Sequence, residues 1–151
     1  MSIAATHKLL FGRLYHNVWN DRKLEYIDQV FAKTHALSAP IISGAAVGPA
    51  VYRRHVEKFL IGFPDLKFTV NDTISEKDKL VVDWTITGTH KGEFLGVPAT
   101  NKRVSFSGIT INQIADGKII ESTVAWDALN LLRQLGVGLT PKAEMQAASG
   151  R

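Results

Sequence analysis

Apolar residues in the first third of the chain recur at helical spacing. Phe11, Leu14, Tyr15, Val18 and Trp19 fall at i, i+3, i+4, i+7 and i+8 and paint one helical stripe. Asn20-Asp21 stops that helix and caps a second, short one carrying Leu24, Ile27, Val30 and Phe31. Thr34 to Gly48 reads as a loop punctuated by Pro40, Gly44 and Gly48, with Ile41-Ile42 briefly extended. Gly48-Pro49 starts a third helix, because proline at the first helical position gives up no needed hydrogen bond. Tyr52, His55, Val56, Phe59 and Phe63 fall on its apolar face, and Arg53, Arg54, Glu57 and Lys58 on the other. Gly62 and Pro64 end it.

Beyond Pro64 the period shortens to two, the signature of half-buried strands. Leu66, Phe68 and Val70 alternate with Lys67, Thr69 and Asn71, and Glu76-Lys77-Asp78-Lys79 makes a polar turn. Leu80 to His90 places Val82, Trp84 and Ile86 on one face and Asp83, Thr85, Thr87 and Thr89 on the other. A Gly/Pro-marked loop, Gly92 to Pro98, leads into Val104 to Ile114, where Gly108 is a candidate bulge. Asp116-Gly117 is a hairpin turn, and Lys118 to Trp126 is the last strand before a short helix. Helices followed by hairpin-linked strands make an α+β domain, a sheet packed on segregated helices that encloses a pocket where it curls. Residues 1–139 form that single domain, and 140–151, small and polar, form a C-terminal tail.

Composition adds exclusions. With 151 residues, 45% hydrophobic and 21% charged, the chain is an ordinary globular domain. It has no cysteine, which removes disulfides and thiolate metal sites. The start lacks a signal peptide, and no apolar run approaches the ~20 residues of a membrane span. The expectation is a cytoplasmic protein that engages no membrane. The net charge of +4 comes from eighteen basic residues scattered among fourteen acids, without the stripe that nucleic acid demands. The five histidines show no metal-binding spacing, and no phosphate-binding glycine motif occurs, so neither metal nor cofactor is expected.

Phe63-Pro64-Asp65-Leu66, Trp84 with Gly88-Thr89-His90, and Gly92-x-Phe94-Leu95-Gly96-x-Pro98 form one ordered series of motifs. Asp116-Gly117-Lys118-Ile119-x-Glu121, Trp126-Asp127 and Leu131-Leu132-Arg133-Gln134-Leu135-Gly136 continue it. From about Phe11 to Gly136 the chain resembles the SnoaL-like polyketide cyclases of the nuclear transport factor 2-like superfamily. The resemblance implies a cone of helices closed by a curved antiparallel sheet around a hydrophobic pocket, usually in a homodimer. It implies intramolecular aldol closure of polyketide esters without metal or cofactor, with the catalytic aspartate at Asp127. Departures from the family pattern fall at Thr123, where a tryptophan is frequent, at His55, where an aromatic is common, and after His35, where an acid is lost.

Asp127 has two readings. It sits where the last strand meets a helix in apolar surroundings, as an acid–base carboxylate would, and it also immediately precedes Ala128 to Leu132, as an N-cap would. His90, at the end of a strand, and His35, on the Thr34–Gly48 loop, are candidates to polarise a substrate carbonyl. Anchoring a loop is the competing role. Tyr15, Trp19, Tyr52, His55, Phe59, Trp84 and Thr123 are candidates to line the pocket, although the aromatic ones also suit a plain core. Glu121, Thr123 and Asp127 share one strand parity and hence one side. The expected function is acid–base chemistry on a small hydrophobic carbonyl compound. The alternatives are a non-catalytic ligand binder and a dimeric interaction module on the same scaffold.

Overall fold

Four β-strands that follow the third helix build most of the sheet, and the helices cover one of its faces. The computed structural model describes residues 2–40 and 46–138. The C-terminal tail and Ile41-Ile42 lie outside the described residues. Helix α1 (Ile3–Phe11) is capped by Ser2, whose hydroxyl accepts the Ala5 amide at 3.1 Å, and it continues as a π-helix over Gly12–Asn20. A 3-10 turn (Leu24–Tyr26) and α2 (Ile27–Val30) lead into β1 (Phe31–Ser38), and β2 (Ala46–Val47) precedes α3 (Pro49–Gly62). Then come β3 (Lys67–Glu76), β4 (Lys79–Thr89), β5 (Arg103–Ala115), β6 (Lys118–Trp126) and α4 (Ala128–Gln134).

The six strands are ordered β2-β1-β6-β5-β4-β3. β3 to β6 pair antiparallel as expected, while β1 runs parallel to β6, so the sheet is mixed. β1 also corrects the reading of Thr34 onward as loop. Its register shifts between Phe31 and Ala36, leaving Lys33 and Thr34 both exposed, and that irregularity erases the period-two pattern.

Burial alternates along the strands. Val104, Phe106, Gly108, Thr110 and Asn112 of β5 and Ser122, Val124 and Trp126 of β6 face the helices. Gly108 is not a bulge. It pairs in register with Trp84 on one side and Trp126 on the other. A Cβ there would lie 2.3 Å from the Trp84 ring and 2.7 Å from the Trp126 Cβ, so glycine is what lets the Trp84 ring lie over β5 beside Trp126. The shift that bends this hairpin falls instead between Gln113 and Ile114.

The helical layer is fastened at its ends. Asn20 exchanges two 2.8 Å hydrogen bonds with the Phe68 backbone. The Arg22 guanidinium donates to the carbonyls of Trp19, Asn20, Pro64 and Leu66. Asp65 accepts the Thr89 amide and hydroxyl, both at 2.7 Å, and these bonds hold its carboxyl below the usual range.

Candidate active site

The interior between helices and sheet is aromatic and almost full. Tyr15, Trp19, Tyr52, His55, Phe59 and Trp84 line a common cavity with Phe68, Ile86, Thr110, Val124 and Trp126. Its volume is only about 10 Å³, room for a single water. Six of the seven residues expected to line a pocket therefore meet there. Trp19 donates its indole N–H to the Tyr52 hydroxyl at 3.0 Å, and Trp84 donates to Thr110 Oγ1 at 3.0 Å.

A space large enough for a ligand lies just outside. A groove of about 580 Å³ runs between α3 and the turn at Glu93–Gly96, lined on α3 by Val51, Arg54, His55, Lys58, Phe59 and Ile61. The turn follows from sequence. Leu95 and Gly96 take φ of 53° and 76°, and Phe94 and Val97 close it with reciprocal backbone bonds of 3.1 and 2.9 Å. Gly62 lets Phe94 press against α3, since a Cβ there would meet the Phe94 Cβ at 2.9 Å. His55 and Phe59 line both spaces, so these two side chains form the wall between groove and interior. Arg54 and Lys58, expected on the solvent side of α3, form the rim of the groove.

His55 is half-buried among Trp19, Tyr52 and Phe59, at ring separations of 6.2, 5.7 and 5.1 Å. Burial, with a smaller contribution from the nearby Lys58 charge, lowers its pKa to about 4. At neutral pH the ring is uncharged and offers one acceptor and one donor nitrogen.

His35 lies deeper. Its Nε2 is 2.9 Å from Ser122 Oγ, Ser122 donates to Asn112 Oδ1 at 2.9 Å, and Asn112 Nδ2 donates to the Tyr15 hydroxyl at 3.1 Å. Ser122 has one proton and gives it to Asn112, so His35 donates from Nε2 and keeps an acceptor at Nδ1, which has no hydrogen-bond partner among the described residues. Burial lowers the His35 pKa to about 4 and raises that of Tyr15 to about 12, so both groups are neutral at pH 7. Asn112 and Ser122 are directly paired across β5 and β6, which is why their side chains meet. Sequence reading missed this chain of polar groups. The available signal was a polar residue on the inward parity of a strand, at Thr110, Asn112 and Ser122.

The remaining candidates lie elsewhere. His90 is fully buried under the loop after β4, where Nδ1 accepts the Thr100 amide at 3.2 Å and the ring packs on Phe63 at 5.6 Å. It anchors that loop and lines neither space. Thr123 is exposed on the outer face of the sheet, because Ser122 and Val124 take the inward positions. Asp127 is exposed too, and its Oδ1 accepts the Asn130 amide at 3.0 Å as the N-cap of α4. Glu121, Thr123 and Asp127 do share a side, the one turned away from the cavity. Among the described residues no three His, Cys, Asp or Glu side chains gather as a metal site would require.

The sequence model of the SnoaL-like polyketide cyclase family matches residues 10–135. The chain belongs to that family. Among solved structures, this SnoaL-like chain is similar to AclR, a hydroxylase candidate from Streptomyces galilaeus, at 29% identity and a TM-score of 0.78 over 99% of this chain and 92% of that one. TsrD from Streptomyces laurentii is 26% identical, with a TM-score of 0.81 over 91% and 100% of the two chains. A candidate SnoaL-like polyketide cyclase from Jannaschia sp. shares the fold at a TM-score of 0.83 and 23% identity, over 92% and 97%. No curated protein matches the chain.

Proposed function

We propose that this member of the SnoaL-like family is a cofactor-independent acid–base enzyme acting on a small hydrophobic carbonyl compound bound in the groove beside α3. The reaction class suggested by the family is intramolecular aldol closure. A base removes a proton from carbon flanked by carbonyls, the resulting carbanion adds to a second carbonyl, and the alkoxide takes up a proton. His55 is the group placed for the first step, with its neutral imidazole open to the groove. The observation that carries this reading is that His55 and Phe59 bound both groove and interior, which puts a titratable ring against the apolar floor where a flat ligand would lie. General-base help of this kind contributes roughly 10²–10⁴-fold.

His35 supports the site from below through Ser122, Asn112 and Tyr15, and it packs on Phe31 and Tyr52 at ring separations of 4.4 and 6.1 Å. It fixes the Tyr52 side of the His55 pocket. Asp127, committed to its helix, is given no proton-transfer step.

Binding is tested by imidazole NMR. On addition of an aromatic β-keto ester, the His55 ring signals are expected to move, while those of His7 and His16, on the N-terminal helices, stay fixed. Movement at all three, or at none, speaks for the interaction-module alternative.

We also propose pairing of two copies through the outer sheet face. Ile74, Val81 and Ile111 form one cross-strand row there, and Ile109 and Ala125 part of the next. Ile74, Ile109 and Ile111 are 60%, 49% and 44% exposed. Sedimentation should give a dimer that Ile109→Lys/Ile111→Lys converts to monomer.

A further inference from the structure

We infer that the groove between α3 and the Glu93–Gly96 turn selects a ligand whose apolar ring system carries one carboxylate, held at the rim by Arg54 and Lys58. This rests on the groove being the ligand site, as proposed above, and adds the class of compound it takes.

The floor of the groove is apolar, with Val51, Phe59, Ile61 and Phe94 contributing carbon surface. One edge carries two cations a helical turn apart, which puts Arg54 and Lys58 side by side along α3. The one ion pair among the described residues joins Arg103 to Asp65, so neither rim cation is neutralised by a carboxylate. Arg53, the neighbouring cation on α3, is used differently, donating to the Leu24 carbonyl at 3.2 Å. Glu93, on the opposite edge, is the single acid lining the groove among the described residues, which directs an anion to the α3 side.

The field of Lys58 also reaches inward, because it contributes to lowering the basicity of His55. A ligand carboxylate seated on Arg54 and Lys58 would offset that smaller contribution, while burial, the larger cause of the lowered basicity, stays. The same anion thus orients the ligand and eases one of the two effects that lower the basicity of His55. A neutral ester of identical shape fills the floor without either effect.

The test compares two fluorescent dyes with the same ring system, anionic anilinonaphthalene sulfonate and neutral N-phenyl-naphthylamine, titrated into the full chain. Arg54→Ala/Lys58→Ala is expected to weaken the anionic dye about tenfold and to change the neutral dye little. Glu93→Gln is expected to tighten the anionic dye alone. Removing two cations elsewhere, with Lys79→Ala/Lys118→Ala, should alter neither dye. Naphthoate should displace the neutral dye at lower concentration than methyl naphthoate does. Equal losses for both dyes in the rim variant, or the same loss in the distant variant, would overturn the inference. Ile61→Ala/Leu95→Ala separates the two levels. If that variant weakens the neutral dye while the rim variant leaves the anionic dye untouched, the groove stands and the carboxylate falls. If it affects neither dye, both readings fall.

Discussion

The Asn130 amide donates to Asp127 Oδ1 at 3.0 Å, and the exposed Asp127 in turn begins helix α4. This bond gives the carboxylate the capping role, one of the two readings that sequence left open. The cap satisfies one of the amides a helix start leaves unpaired. Asp127→Ala is therefore expected to lower stability by about 1 kcal/mol, and Asp127→Asn, which keeps a capping oxygen, by a few tenths at about the scale of an exposed substitution. Denaturant midpoints check this, and both variants should keep any activity of the parent.

Acid should unfold this protein earlier than its surface charge alone suggests. His35 and His55 titrate near 4 when folded, against about 6.5 in an unfolded chain. Between those values the unfolded state holds protons the folded state refuses, so stability is complete above about pH 6.5 and falls as pH drops toward 4. Each histidine contributes a slope approaching about 1.4 kcal/mol per pH unit within that window. Midpoints measured from pH 7 to 4 should show the decline, and His55→Gln should make it shallower. A flat profile would count against the burial of both rings.

Ser122 holds together a chain whose members are all inaccessible to water. Ser122→Ala leaves His35 Nε2 and Asn112 Oδ1 without their partner, at an expected cost of about 1–3 kcal/mol. Thr123→Ala, one residue on and outward-facing, should stay within about 0.5 kcal/mol of the parent. The contrast between neighbours tests strand parity as directly as it tests the hydrogen bonds.

Gly108→Ala places a methyl group against the Trp84 and Trp126 side chains. The expected loss is about 1–3 kcal/mol, the ordinary cost of overpacking a core, and near-ultraviolet circular dichroism should report displaced indoles. An unchanged spectrum with unchanged stability would mean that the Trp84 ring does not lie over Gly108.

Much of this architecture was legible in the residues. The α3 stripe, the alternation from β3 to β6 and the Asp116-Gly117 turn each follow a local rule, and the structure keeps them. β1 escaped because a register shift leaves Lys33 and Thr34 both exposed, which hides the alternation. Tyr15, Trp19, Tyr52, His55, Phe59 and Trp84, which meet at the interior cavity, were legible from apolar periodicity, which identifies a core face without separating cavity from packing. What periodicity cannot give is side. Thr123 and Asp127 were grouped correctly with Glu121, yet nothing local says whether that group faces helix or solvent until Trp126 is seen to point inward. Ser122 and Asn112 needed cross-strand register, a relation between residues ten apart that composition does not carry.

The measurement that bears most directly on the proposed chemistry is deuterium exchange at the activated methylene of a benzoylacetate ester, followed by proton NMR. Exchange requires only the first proton transfer, so it does not depend on knowing the natural substrate. The parent chain is expected to accelerate exchange, His55→Gln to abolish the acceleration, and Asp127→Asn to retain it. Loss of acceleration in Asp127→Asn with retention in His55→Gln, or no acceleration by the parent, would contradict the account.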